Sequence, residues 1–207
     1  MRRAKLGDVY AVPLRNGYKI IQWAYSVPRR GKAIRVFPGI YKEIPKNIPK
    51  IVSGKHSYII DFHVSRAYRI GIITFLENLP IPEKYPCPTM EMMPWINGYG
   101  KLYTIVYRDI TRGYPNETIV ETRNVRNVPK EFRDCCYLSG ECTPSWLFYY
   151  FEFGYDLDHL HLEFPGLIPG GTECTDYYQK IVDEALEKDS QRRAQAKALK
   201  NKKEEKD

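Results

Sequence analysis

Residues 7–25 read Gly7-Asp-Val-Tyr-Ala-Val-Pro-Leu-Arg-Asn-Gly-Tyr-Lys-Ile-Ile-Gln-Trp-Ala-Tyr25. Strand alternation places Val9 and Ala11 on one face, and Tyr10, Val12 and Leu14 on the other. Both faces are apolar, so this strand is expected inside a core, covered on both sides. Asn16-Gly17 accepts φ > 0 at both central positions of a tight turn, the strongest local hairpin signal. In the returning arm Ile21, Trp23 and Tyr25 share one face, and Tyr18 and Ile20 the other. A hairpin buried on both sides makes a sheet the organising element of the fold.

The remaining chain fits that frame. A length of 207 residues suits one domain with a core that needs neither metals nor disulfides. Seventeen tyrosines favour sheet over a helix bundle. No apolar run approaches the ~18 residues of a membrane span, and the basic start lacks the apolar stretch of a signal peptide. A cytoplasmic location is expected. The five cysteines include an adjacent pair, Cys135 and Cys136, and no Cys-x-x-Cys spacing. They read as reduced structural thiols.

Charge is unevenly distributed. Residues 1–70 hold fifteen Lys and Arg against three Asp and Glu, whereas residues 71–178 hold eight against fifteen. Such asymmetry points to a partner with a strong field, an acidic protein surface or a nucleic acid. The plainer alternative is two halves that neutralise each other across one core.

After the hairpin, residues 27–32 form a loop with Arg29, Arg30 and Lys32 at its tip. A short strand over 33–37 follows. Pro45 and Pro49, with Lys42, Lys46 and Lys50 around them, predict an extended, exposed segment over 41–50. Alternation predicts strands over 57–64 and 69–76. Residues 77–88, with Pro80, Pro82, Pro86 and Pro88, read as an irregular strap.

The opening Leu6-Gly-Asp-Val-Tyr-Ala-Val-Pro-Leu14, with Arg69-Ile-Gly-Ile72, Leu79-Pro-Ile-Pro82, Pro86 and Pro88, resembles the immunity protein 26 family of bacterial polymorphic toxin systems. The resemblance covers residues 5–90. It implies a protein without enzymatic activity that binds a cognate toxin and neutralises it by stoichiometric occlusion, protecting the producing cell. The long basic tail and the acidic second half depart from the family pattern.

In the second half, strands are expected over 101–110 and 117–125, paired as a hairpin, and a core strand over 146–152. Residues 158–164 alternate His159, His161 and Glu163 with Leu160, Leu162 and Phe164. A helix over 176–187 carries Tyr177, Tyr178, Ile181, Val182, Ala185 and Leu186 at helical spacing. Thr175 is its expected N-cap. Residues 1–187 make the expected domain, and 188–207 a charged solvated helix or disordered tail.

Four constellations have side chains that could carry chemistry. In the run Asp156, Asp158, His159, His161 and Glu163, the residues His159, His161 and Glu163 share a strand face that would supply three metal ligands, but no second ligand motif supports them, and a solvated face is the simpler reading. Cys87 or Cys142 would need an imidazole from His56, His63, His159 or His161 to act as a nucleophile, and nothing brings them together. Gly98-Tyr-Gly100 and Gly170-Gly171 lack the Lys-Ser/Thr of a phosphate loop. The fourth is a basic, aromatic-interleaved set, Trp23, Tyr25, Arg29, Arg30, Lys32, Arg35, Lys42, Lys46 and Lys50. Tryptophan, tyrosine and arginine are the usual anchors of protein interfaces, and opposite fields accelerate association.

The sequence therefore predicts an α+β, mostly β protein. It has a strongly bent antiparallel sheet, barrel-like at its N-terminal end in the extreme case, with a C-terminal helix packed on it. No catalytic, cofactor-binding or metal-binding residue is assigned. The expected partner is a toxin with an acidic contact surface, bound through the fourth set. A small basic β-barrel module that binds nucleic acid is the competing class, and would show steep salt dependence.

Overall fold

The computed structural model describes residues 2–27, 31–87, 90–96, 103–109, 117–122, 136–137, 151–152 and 171–204. The opening hairpin is β1 (Asp8–Leu14) and β2 (Gly17–Val27). It continues through β3 (Gly31–Val36), α1 (Ile48–Ser53), β4 (Tyr58–Asp61), α2 (Val64–Ile70) and β5 (Thr74–Asn78). Then come β6 (Met90–Ile96), β7 (Tyr103–Asp109), β8 (Glu117–Thr122), β9 (Cys136–Tyr137) and the long helix α3 (Gly171–Glu204).

The strands lie in the order β5-β1-β2-β3-β4-β9-β6-β7-β8. The first five form an antiparallel sheet. The two-residue β9 joins it, parallel on both sides, to the antiparallel β6-β7-β8 unit. β5 and β8 are edges, so the sheet does not close into a barrel. With its C-terminal helix the protein is α+β and mostly β, as the sequence predicts.

Both faces of β1 are covered. Tyr10, Val12 and Leu14 join Ile21, Trp23, Ile34, Val36, Tyr58 and Ile60 in the larger core, packed against α2, Phe151 and the α3 residues Cys174, Tyr178 and Val182. On the reverse face, Val9, Ala11, Ile20 and Phe37 meet Ile48 and Val52 of α1, with Leu79 of the strap alongside. Apolar surface on both sides of one strand thus recruits helices to opposite faces.

Several expectations are corrected by local chemistry. Leu14 pairs with Gly17, so the turn residues are Arg15 and Asn16 rather than Asn16-Gly17. Gly17 opens β2 at φ 139°, where a Cβ would lie 2.2 Å from the Tyr41 carbonyl oxygen. Glycine is needed there for close approach, not for the turn itself.

Tyr25 does not share a face with Ile21 and Trp23. A bulge between Trp23 and Tyr25 inserts Ala24, and the extra residue moves Tyr25 into a cluster with Ala24, Ala33 and Ile59.

Residues 48–50 belong to a helix, not to an extended segment. The Asn47 side chain accepts from the Lys50 N–H at 3.3 Å. Pro49 sits in the first turn, where its missing N–H costs nothing.

Residues 64 and 69–70 lie in α2, not in strands. Gly71 ends that helix in the left-handed region, φ 86°, the C-terminal signal that strand alternation obscured.

The expected core strand over 146–152 lies outside the described residues except for Phe151, which is buried, and Glu152. Both are helical. β7 and β8 pair antiparallel, as their sequences predict. α3 begins at Gly171, ahead of the expected Thr175 cap, and continues through Glu204.

Candidate partner-binding surface

The structure separates the basic, aromatic set into three groups. Trp23, Tyr25 and Arg35 are buried. They therefore belong to the interior and do not reach a partner directly. Trp23 Nε1 donates to the Tyr25 carbonyl oxygen at 3.0 Å. The Tyr25 hydroxyl donates to the Tyr85 carbonyl oxygen at 2.8 Å, fastening the strap.

Arg35 has 0 % exposure. Its Nη1 donates to Gln22 Oε1 at 3.0 Å and the Val52 carbonyl at 3.1 Å, its Nη2 to the Gly54 carbonyl at 2.8 Å, and its Nε to His56 Nδ1 at 3.2 Å. The guanidinium also lies 4.5 Å from the centre of the Tyr85 ring. Burial pushes its pKa down, opposed by Tyr25 and Tyr85. Arg35 thus joins β2, β3, the end of α1 and the strap through neutral acceptors. Alternation along β3 would have placed it on the face of Ala33, but the helix that covers that face was not visible in the sequence.

Lys32 forms the second group. It is half-buried, with its Nζ 4.2 Å from the centre of the Trp23 ring and donating to Ser65 Oγ. Burial pushes its pKa down, and the nearby Arg3 acts in the same direction. Arg29 and Arg30 lie outside the described residues, as do Cys142, His159, His161 and Glu163.

Lys42, Lys46 and Lys50 are the third group. All three are exposed, and no described carboxylate pairs with them. The segment that carries them is fixed at both ends. Tyr18 N–H donates to the Tyr41 carbonyl at 2.7 Å, and Tyr41 N–H to the Tyr18 carbonyl at 2.9 Å. At the other end Ile48 is buried against the sheet. Ile44 between these anchors and Ile40 just before the first remain 39 % and 36 % exposed.

The sequence reading missed these isoleucines. Their signal was apolar side chains in a proline-rich stretch with too little regular structure to bury them. Isoleucines flanked by lysines that no described carboxylate pairs, on a pinned segment, can seat an apolar, acidic protein surface. The loop needs little ordering on association, which keeps the entropic cost low.

Neither Cys87, which is exposed, nor the buried Cys174 forms a disulfide. No group of three or more His, Cys, Asp and Glu placed to hold a metal ion occurs among the described residues. No described helix is long and apolar enough to cross a membrane.

No protein-family model, curated protein or solved structure matches the chain. The resemblance to the immunity protein 26 family therefore rests on the motifs quoted above. In the fold the opening motif meets the strap at Leu79. Gly7 N–H donates to the Trp23 carbonyl at 2.8 Å, and the Leu79 N–H of the strap donates to the Gly7 carbonyl at 3.0 Å. Gln22 Nε2 completes the junction by donating to the Leu79 carbonyl at 2.9 Å.

Proposed function

We propose that this chain is a non-enzymatic binding protein of the immunity type, neutralising a cognate bacterial toxin by stoichiometric occlusion. The observation that carries the reading is the pinned segment over 40–50. There Ile40 and Ile44 stay exposed beside Lys42 and Lys46, with Lys50 following in α1, on a segment hydrogen-bonded to β2 through Tyr41. Such a surface supplies apolar contact at its centre and a positive field around it. The field raises the encounter rate with an acidic toxin surface, and fast capture is what an antidote to an intracellular toxin requires.

The test is co-expression with the toxin encoded beside the gene. Growth rescue, with a one-to-one complex on size exclusion, is expected. Lys42→Glu/Lys46→Glu/Lys50→Glu should slow association at least about tenfold and steepen toxin sensitivity, because rim charges act mainly through the association rate. Absence of rescue by the wild-type protein would overturn the function. Rescue and association unchanged in the triple variant would overturn the placement of the interface.

A further inference from the structure

The end of α3 carries a second charged surface, independent of the pinned segment. The helix holds 34 residues, a length of about 51 Å. Its buried residues are Cys174, Tyr178, Val182 and Asp189, and none lies beyond Asp189 among those whose exposure is described. Residues 190–199 are exposed throughout. Residues 190–203 contain Arg192, Arg193, Lys197, Lys200, Lys202 and Lys203 and no Asp or Glu.

Successive helical residues turn by about 100°. On that register Cys174, Tyr178, Val182 and Asp189 lie along one side of α3. Arg192, Arg193, Lys197, Lys200 and Lys203 occupy positions on the same side, within an arc of about 140°. The side that packs on the domain therefore becomes cationic where the helix leaves it.

The cationic side begins at an unbalanced cluster. Asp189, 7 % exposed, accepts from Arg192 at 2.5 Å and pairs with Arg193 at 2.8 Å and with Arg69 of α2 at 3.9 Å. Arg192 also donates to the Arg69 carbonyl at 2.9 Å, bridging the two helices. Three guanidinium groups thus share one carboxylate. All three are about half exposed, so their remaining N–H donors face water.

We propose that this basic side of α3, starting at the Arg69–Arg192–Arg193 cluster, binds the phosphodiester backbone of a nucleic acid. Two features favour that ligand over an acidic protein. Alanines separate the cations, and the stretch presents no aromatic anchor of the kind protein interfaces rely on. Phosphate backbones, in contrast, are neutralised by Arg and Lys and need no aromatic anchor or base contact.

The test is fluorescence anisotropy of the full chain with a labelled 20-base-pair DNA duplex and, in parallel, a single-stranded RNA of equal length, from 50 to 300 mM salt. Binding is expected to weaken with a log–log salt slope of about −4.5 on the duplex, as for about five neutralised phosphates. The probe bound more tightly identifies the source of the backbone. Lys197→Gln/Lys200→Gln/Lys203→Gln should weaken binding more than about tenfold at 50 mM salt and bring the slope closer to zero by about 2 to 3. Circular dichroism would verify that the variant keeps its helix. No binding to either probe, an unchanged slope in the folded variant, or equally tight binding to a polyglutamate of matching charge would each overturn the proposal. None of these outcomes depends on the toxin.

Discussion

Gly7 accepts a hydrogen bond at its carbonyl from the N–H of Leu79, 3.0 Å away, while a Cβ on Gly7 would stand 2.7 Å from the Leu79 carbonyl oxygen. The chain's opening and its proline strap are thus in direct backbone contact, and only glycine, at φ +87°, permits it.

An ordering of glycine variants follows from this contact. Gly39→Ala meets no atom within 4 Å and suffers only its positive φ of +78°, about 1 to 2 kcal/mol. Gly7→Ala adds a backbone clash. Gly17→Ala, with the Tyr41 oxygen 2.2 Å from its Cβ, should be the most damaging because it separates Tyr41 from Tyr18. Urea denaturation should rank stability as Gly39→Ala above Gly7→Ala above Gly17→Ala. A Gly17→Ala variant as stable as wild type would contradict the close approach.

Arg35 should be irreplaceable even by lysine. Arg35→Met removes four hydrogen bonds and leaves Gln22 and two carbonyls without their donor, a cost of at least about 3 kcal/mol. Arg35→Lys keeps the charge but lacks the planar fork that serves these acceptors together. It should lose more than half as much stability as Arg35→Met. Chemical denaturation of the two variants decides the point, and full recovery in the lysine variant would count against the fork geometry.

Acid should weaken the start of β1. Burial pushes the Asp8 carboxyl up, but hydrogen bonds from Arg2, the Lys5 N–H, Asn78 and Tyr10 outweigh it and hold the pKa below its ordinary value. A depressed folded pKa stabilises the protein above the unfolded value of about 3.9 and ceases to do so as pH falls through the folded one. Glu152 acts in the same direction. Burial raises its pKa, but Arg15, Tyr178 and Cys174 more than compensate. The wild type should lose more stability between pH 5 and pH 3 than Asp8→Asn does. Parallel pH profiles for the two proteins would show that Asp8 is not a source of the acid sensitivity.

Ile40 and Ile44 should matter for binding and not for folding. Both are more than a third exposed, so Ile40→Ser/Ile44→Ser should change unfolding free energy by less than about 1 kcal/mol. Toxin affinity, measured by calorimetry, should fall at least about tenfold. Retained affinity in the stable double variant would remove these residues from the interface.

The limits of sequence reading appear at specific residues. Strict alternation assigned the two faces of β1 correctly because Val9–Leu14 pairs with β2 without interruption, and the register shift against β5 places its extra residue in β5. The same rule misplaced Tyr25, since a bulge one residue earlier reverses the count. Helices α1 and α2 are 6 and 7 residues long, too short to show a helical period against apolar neighbours. Of the anticipated binding set, Lys42, Lys46 and Lys50 are surface cations. Trp23, Tyr25 and Arg35 have the right chemistry for an interface but are buried by the strap, α1 and α2.

What the sequence by itself determined is the local code: which residues alternate, where prolines forbid regular structure, and where charge accumulates. Those properties depend on neighbours a few positions apart. Tertiary structure alone decided which cations became interior. Arg35 is buried because Val52, Gly54, His56 and Tyr85, 17 to 50 positions along the chain, converge on it. Exposure is a property of what folds over a residue, and long-range packing sets it. The same packing leaves Ile40 and Ile44 in water, and leaves residues 190–199 of α3 exposed.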